Sequence, residues 1–157
     1  MEESGVIEWN LEQLKGALRI SEGEVDEYFK DGRRISFVLE RRLCSEHFRG
    51  TLAVSEGAGY DLLDAEGNCW EVRSLTRGGV YFTPSAMVGS GRRFEELGFR
   101  EKLRNVAGFV VTDITLFPKV PFWKIPSEQV VRWFDEGQLG LNARLSYRKA
   151  RELIESL

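Results

Sequence analysis

Residues Gly59 to Arg73 read GYDLLDAEGNCWEVR, two short runs, Tyr60–Asp64 and Asn68–Leu75, around a turn signal at Ala65-Glu66-Gly67. Gly67 suits the left-handed position of a three-residue hairpin loop. Pairing Asp64 with Asn68 around that loop sets Asp61 directly opposite Glu71. Side chains alternate along a strand, so Glu71 and Arg73 share one face while Trp70 and Val72 take the other. Two carboxylates opposed across a ladder repel, and a divalent cation between them reverses the sign. The pattern points to a metal site of oxygen ligands, which suits Mg2+ better than zinc. An Asp followed at a distance by Glu-x-Arg also arises by chance in charged hairpins, so the surroundings of the hairpin carry weight.

The 157 residues fit one domain with a sizeable core. A hydrophobic content of 42%, with four Trp, four Tyr and ten Phe, is that of a folded chain. No run of roughly 18 apolar residues is present, so no membrane span is expected. The start, MEESGVIEW, is acidic and lacks an apolar signal core, which predicts a cytoplasmic protein. Cys44 and Cys69 are not at metal-ligand spacing and read as buried thiols in a reducing compartment. His47 is the only histidine. That excludes a Ser-His or Cys-His site built on any other residue, and most zinc sites. The net charge of −3 divides unevenly, with −7 over residues 1–70, +3 over 71–105 and +1 over 106–157. Overall acidity argues against loose binding of nucleic acid to the whole surface, but a local basic cleft remains open.

Leu11–Leu18 reads as a short helix and Val25–Lys30 as a second after Ser21, so residues 1–32 form a helical N-terminal extension. Leu14, Leu18, Ile20, Val25 and Tyr28 fall on the apolar skeleton of a helix-turn-helix. Lys15 and Arg19 stand where that motif wants small residues, and Glu24, Asp26 and Glu27 would repel phosphates. The segment therefore reads as a packed helical pair. Arg34–Phe48 follows as a helix with one stripe at Ile35, Val38, Leu39 and Leu43 and another at Phe37, Cys44 and Phe48. Glu40 lies between the stripes; it needs a partner or its pKa rises. Either an arginine neutralises it or it points toward the Asp61/Glu71 hairpin.

Further on, Thr51–Ser55 and Val80–Thr83 read as short strands, the latter stopped by Pro84. Arg92-Arg93 opens a charged helix through about Arg104, whose first amides make either a phosphate-binding corner or an ordinary solvated end. Ala107–Thr115 is a buried central strand, and Lys119–Ile125 an edge strand because it contains Pro121. Ser127 caps a helix over Gln129–Phe134, and Ser146–Ser156 is a terminal helix.

In this order of elements the chain resembles the PD-(D/E)XK nuclease superfamily, and within it the short type II restriction endonucleases. The residues that carry the resemblance are Glu40 on a helix, Asp61 at the start of a strand, and Glu71-Val72-Arg73 on the next. The strands and the helix that follow, through residue 135, keep the family's order. The resemblance implies an α/β domain of restriction-endonuclease-like fold, a mixed central β-sheet flanked by helices. It also implies Mg2+-dependent hydrolysis of phosphodiester bonds in double-stranded DNA, by a homodimer with one site per strand. Asp61 and Glu71 would hold the metal, helped by the Val72 carbonyl, with Glu40 as a further acidic ligand. Arg73 would orient the attacking water and stabilise charge on the phosphate.

Tyr60 stands where the family has Pro, and Arg73 where Lys is usual. Arg stays charged, so the water's proton must leave by another route. Arg77, Thr83, Ser85, Arg92 and Arg93, on or near turns beside the motif, are candidate DNA contacts. Leu11, Leu14 and Leu18 are candidates for the dimer contact. A junction-resolving nuclease of the same fold and a catalytically silent DNA-binding module are the alternatives.

Overall fold

The computed structural model describes residues 3–157, without the side chains of Arg33 and Glu56. Three helices precede the hairpin: α1 (Leu11–Leu18), α2 (Glu22–Phe29) and α3 (Gly32–Arg42). Three follow it: α4 (Glu96–Asn105), α5 (Ser127–Asp135) and α6 (Tyr147–Glu155). The strands are β1 (Ser4–Glu8), β2 (Thr51–Leu52), β3 (Leu62–Leu63), β4 (Cys69–Leu75), β5 (Val80–Tyr81), β6 (Gly108–Asp113), β7 (Lys119–Pro126) and β8 (Arg144–Leu145). Six of them form one mixed sheet in the order β1-β7-β6-β4-β3-β2, while β5 and β8 pair separately. Only β4 and β6 run parallel, joined by the crossover that contains α4.

Alternation along the strands divides the core in two. Trp70 and Val72 of β4 and Val110 of β6 pack with Ile35, Leu39 and Leu43 on one face of the sheet. Leu75, Phe109 and Val111 face the other way, against Phe99 and Leu103 of α4 and Val130 and Trp133 of α5. With both faces covered, every residue of β6 is buried, which explains its unbroken apolar run.

Pro121 does not mark an edge, because β1 lies outside β7. Lys124 N–H donates to the carbonyl of Glu3 at 2.9 Å, so alternate residues of β7 bond to β1 and the intervening ones, including Pro121, turn toward β6. The β6 ladder ends at Thr112↔Phe122, one residue short of Pro121, so the proline's missing N–H leaves no gap. The strand β1 was hidden in the sequence by its acidic flanks. Its anchor is Ile7, fully buried, in a burial pattern that is otherwise mostly exposed.

The helix-turn-helix skeleton does not form. Leu18, Ile20 and Tyr28 are exposed, and α1 has no buried residue. Val25 and Phe29, one turn apart, dock α2 on the core. Its acidic residues serve the helix start: Ser21 N–H donates to Glu24 at 2.8 Å and Glu24 N–H to Ser21 Oγ at 3.2 Å, a reciprocal capping box. Helix α3 stops at Arg42 and continues as a wider π-type turn over Leu43–Phe48. Ser127 is the first residue of α5 and not its cap, since its hydroxyl donates to the Val106 carbonyl at 2.7 Å. Ser146 does cap α6, accepting from Lys149 N–H at 3.3 Å.

Candidate functional site

The hairpin forms in the expected register. Asp64 N–H donates to Asn68 O at 3.0 Å and Gly67 N–H to Asp64 O at 3.0 Å, with Gly67 at φ +86°. The ladder pairs Leu62 with Trp70 and Leu63 with Cys69. The paired ladder stops at Leu62↔Trp70. Asp61 N–H donates at 2.9 Å to the carbonyl of Trp70, the residue already paired with Leu62, so the expected pairing of Asp61 directly opposite Glu71 is not made. Asp64 organises the turn. Its carboxylate accepts from Asn68 N–H at 2.8 Å, Glu66 N–H at 3.1 Å and the Trp70 indole at 2.9 Å. Burial pushes the Asp64 pKa up, but these bonds from Trp70, Asn68 and Glu66 outweigh it and leave it below the usual value.

Strand β4 outruns β3, so the Val72 N–H has no strand partner on that side. The Asp61 carboxylate takes it at 2.7 Å. Glu71, almost fully buried, is held between two cations: Arg73 binds one of its oxygens and Lys102 of α4 the other. The Arg73 guanidinium also donates to the Val72 carbonyl at 3.1 Å and lies 3.9 Å from Asp61. Asp61, Glu71 and the Val72 carbonyl therefore converge on one positive group. The expectation of unrelieved carboxylate repulsion is corrected: the protein supplies its own countercharge.

Lys102 is the participant the sequence reading missed. Its signal was position, because it sits between Phe99 and Leu103, the buried residues of α4, on the face turned toward the sheet. Its ammonium also donates to the Gly59 carbonyl, tying α4 to the turn before the hairpin.

Glu40 and Asp61 line the same cleft, of about 520 Å3, together with Tyr60 and Arg41. Burial, reinforced by the Asp61 carboxylate and only partly offset by Arg41 and Arg73, pushes the Glu40 pKa up to about 7. Glu40 thus lines the same cleft as the hairpin's Asp61, with its carboxyl held well above the usual carboxylate range. Among the described residues no group of three or more His, Cys, Asp or Glu side chains is gathered for a metal ion, so Glu40, Asp61 and Glu71 do not form a three-carboxylate site. The donor set is two carboxylates and a backbone carbonyl. These are hard oxygens of the kind Mg2+ takes, and in this structure the Arg73 guanidinium lies among them.

Of the proposed DNA contacts, Thr83, Ser85 and Arg92 lie near one another. Arg77 is exposed in the turn between β4 and β5, and Arg93 is exposed before α4. Ser85 lines a cleft of about 750 Å3 that also contains Arg73. Thr83 lines it too, but is 2% exposed and gives its hydroxyl to the Asn142 carbonyl. Arg92 folds back onto the Ser85 and Val88 carbonyls at 3.0 and 3.1 Å. Helix α4 begins at Glu96 after an acidic N-cap, Glu95. Arg92 and Arg93 therefore precede the helix start, and of the two readings of this segment the phosphate-binding corner is not built there. Gly89 and Gly91, both at positive φ, turn the chain before them. Cys44 is buried and Cys69 half-buried, both as free thiols. His47 packs against Phe122 with ring centroids 4.7 Å apart. Among the described residues no helix is long and apolar enough to cross a membrane. No family model, curated protein or solved structure matches the chain.

Proposed function

We propose that the chain is a Mg2+-dependent endonuclease of restriction-endonuclease-like fold that hydrolyses phosphodiester bonds in double-stranded DNA. The observation that carries this reading is the convergence of Asp61, Glu71 and the Val72 carbonyl on one cation, with Glu40 in the adjoining cleft. A bound Mg2+ supplies charge neutralisation at the phosphate and acidifies water. The chain's own residues divide the remaining work. Asp61, Glu71 and Val72 hold the ion. Lys102 holds the second oxygen of Glu71 and so keeps its carboxylate aimed. Arg73, released from these oxygens, carries its charge to a phosphate oxygen. Glu40, with its pKa near 7, suits proton exchange with water in the cleft.

Cutting both strands calls for two sites. Leu11 and Leu14 turn toward the core, which leaves Leu18, Ile20 and Tyr28, all exposed, as the apolar contact of a homodimer. Light scattering at micromolar concentration is expected to give about twice the chain mass.

Supercoiled plasmid incubated with the protein and Mg2+ or Mn2+ is expected to be linearised, and both Asp61→Asn and Glu71→Gln are expected to abolish this. An intact plasmid with wild-type protein under both metals would overturn the reading. One observation favours a silent DNA-binding module instead: Arg73 makes the metal's contacts itself. That reading expects a gel shift and no cleavage.

A further inference from the structure

Three clefts of the molecule join in series. The cleft containing Glu40 and Asp61 shares Ser36 with the 750 Å3 cleft beside the C-terminal end of β4. That cleft shares Tyr81 with a third, of about 470 Å3, at the β8–α6 junction. A further cleft between α4 and α5 shares no residue with them. Together the three clefts give a trough that leads from the candidate site to the β8–α6 junction.

Its lining changes along the way. Next to the site come the hydroxyls of Ser36, Ser74, Thr76 and Ser85 around Arg73, with Asp31 as the single carboxylate. Such neutral donors contact phosphate and sugar oxygens without regard to sequence. At the second junction Tyr81 is 42% exposed, with the Arg144 guanidinium 5.5 Å from its ring centroid. The third cleft is lined by Arg144, whose guanidinium donates to the Gly78 carbonyl, and by Lys149, which pairs with Glu152 at 3.0 Å at the start of α6.

Its rim is strained. Asn142 and Ala143 both have positive φ, +57° and +53°, a conformation that costs side-chain-bearing residues energy. Thr83 binds the Asn142 carbonyl, and Phe82 N–H donates to Ala143 O at 3.0 Å. The loop so held presents Leu141, 90% exposed, at the mouth of the third cleft. A basic trough with an exposed aromatic residue has the composition of a track for single-stranded nucleic acid.

We propose that this trough carries one DNA strand away from the cut, so that the substrate is gripped on one side of the scissile position, with a base stacked on Tyr81 and a phosphate at Lys149. The position of the cut rests on the nuclease reading; the strand track does not. The test is fluorescence anisotropy without metal, using a labelled blunt duplex and the same duplex with a single-stranded tail at its 3′ or its 5′ end. One of the two tails is expected to tighten binding about tenfold. Tyr81→Ala and Lys149→Glu are each expected to remove that gain, the second also lowering the salt slope by about one. Lys149 occupies the third position after the Ser146 cap, where glutamate completes a capping box, so Lys149→Glu keeps the helix. Arg104→Glu, in the separate cleft, is expected to leave the gain intact.

A wild type that gains nothing from either tail, or a gain that survives both variants, would overturn the track. Plasmid cleavage is scored separately. A tail effect without cleavage keeps the track and removes the nuclease reading, and cleavage without a tail effect does the reverse.

Discussion

Replacing Glu40 by Gln tests the electrostatics of the cleft without any substrate. Burial, with the Asp61 carboxylate beside it, holds the folded Glu40 pKa up at about 7, against an ordinary value of 4.5. Between those values the folded state binds more protons than the unfolded one, so stability falls as pH rises through the window and the loss is complete above about 7. Taken at face value the shift is worth roughly 3 kcal/mol at about 1.4 kcal/mol per pKa unit. Glu40 opens onto a solvent-filled cleft, and screening reduces this to about 1–2 kcal/mol. Glutamine keeps the shape and carries no charge at any pH. The difference in stability between Glu40→Gln and wild type is therefore expected to be flat below about pH 4.5 and to grow in the variant's favour by about 1–2 kcal/mol by pH 8.5. In a protein of this size that is about 3–6 °C in melting temperature. Thermal denaturation of both proteins across this range, in chelator, gives the difference directly. A pH-independent difference, or one that grows in favour of wild type as pH rises, would refute the reasoning.

Glu71→Gln leaves Arg73 and Lys102 facing each other without their shared anion, and is expected to cost about 3–5 kcal/mol in urea denaturation. Lys102→Met, which keeps the Arg73 contact, is expected to cost less, about 1–3 kcal/mol. Asp61→Asn retains an acceptor for the Val72 N–H, so it is expected to change stability by no more than about 1 kcal/mol while removing cleavage. Asp113 is fully buried and accepts from Thr115 Oγ1 at 2.6 Å, Tyr147 at 3.0 Å and Arg151 at 3.3 Å. Asp113→Ala is expected to loosen α6, costing about 2–4 kcal/mol and speeding amide exchange across Tyr147–Glu155.

Most of what positions the site was legible locally. The hairpin register followed from one loop and one glycine, because a three-residue turn leaves a single pairing. β6 followed from its apolar run. What was not legible depends on partners distant in sequence. β1 carries one fully buried residue in a mostly exposed strand, and only its pairing with β7 makes it a strand. Pro121 misled because which neighbour a strand residue's N–H faces is set by register, not by residue type. Lys102 looked like any helix lysine, since its role needs α4 laid against the hairpin. Glu40 was recognisable as a carboxylate among apolar neighbours, but its cleft-mate Asp61 comes from another element. Thr83 and Arg92 looked available because hydroxyl and guanidinium groups in a turn-rich segment usually face solvent; here backbone carbonyls take them.

The charges at the hairpin carry a consequence for how metal and DNA bind. Asp61 and Glu71 are matched by Arg73 and Lys102, so the cluster is formally neutral as it stands. A divalent cation that takes the place of Arg73 leaves one excess positive charge at the cluster, and the displaced guanidinium adds a second nearby, in a site where Glu71 is 5% exposed and screening is weak. The Glu40 carboxylate in the cleft with Asp61, Asp31 in the cleft with Arg73 and a substrate phosphate are the groups placed to balance them. Metal affinity is therefore expected to be weak without DNA, and each ligand to strengthen the other by one common factor, about 5- to 150-fold for typical coupled sites. Ca2+ serves as the probe, read calorimetrically with and without a saturating duplex, while anisotropy follows DNA binding with and without Ca2+. Arg73→Gln removes the resident cation, leaves the cluster negative, and is expected to let Ca2+ bind the free protein, shrinking the coupling. Equal Ca2+ affinity with and without DNA, in wild type and Arg73→Gln alike, would show that the Arg73 guanidinium and a metal do not compete for these oxygens.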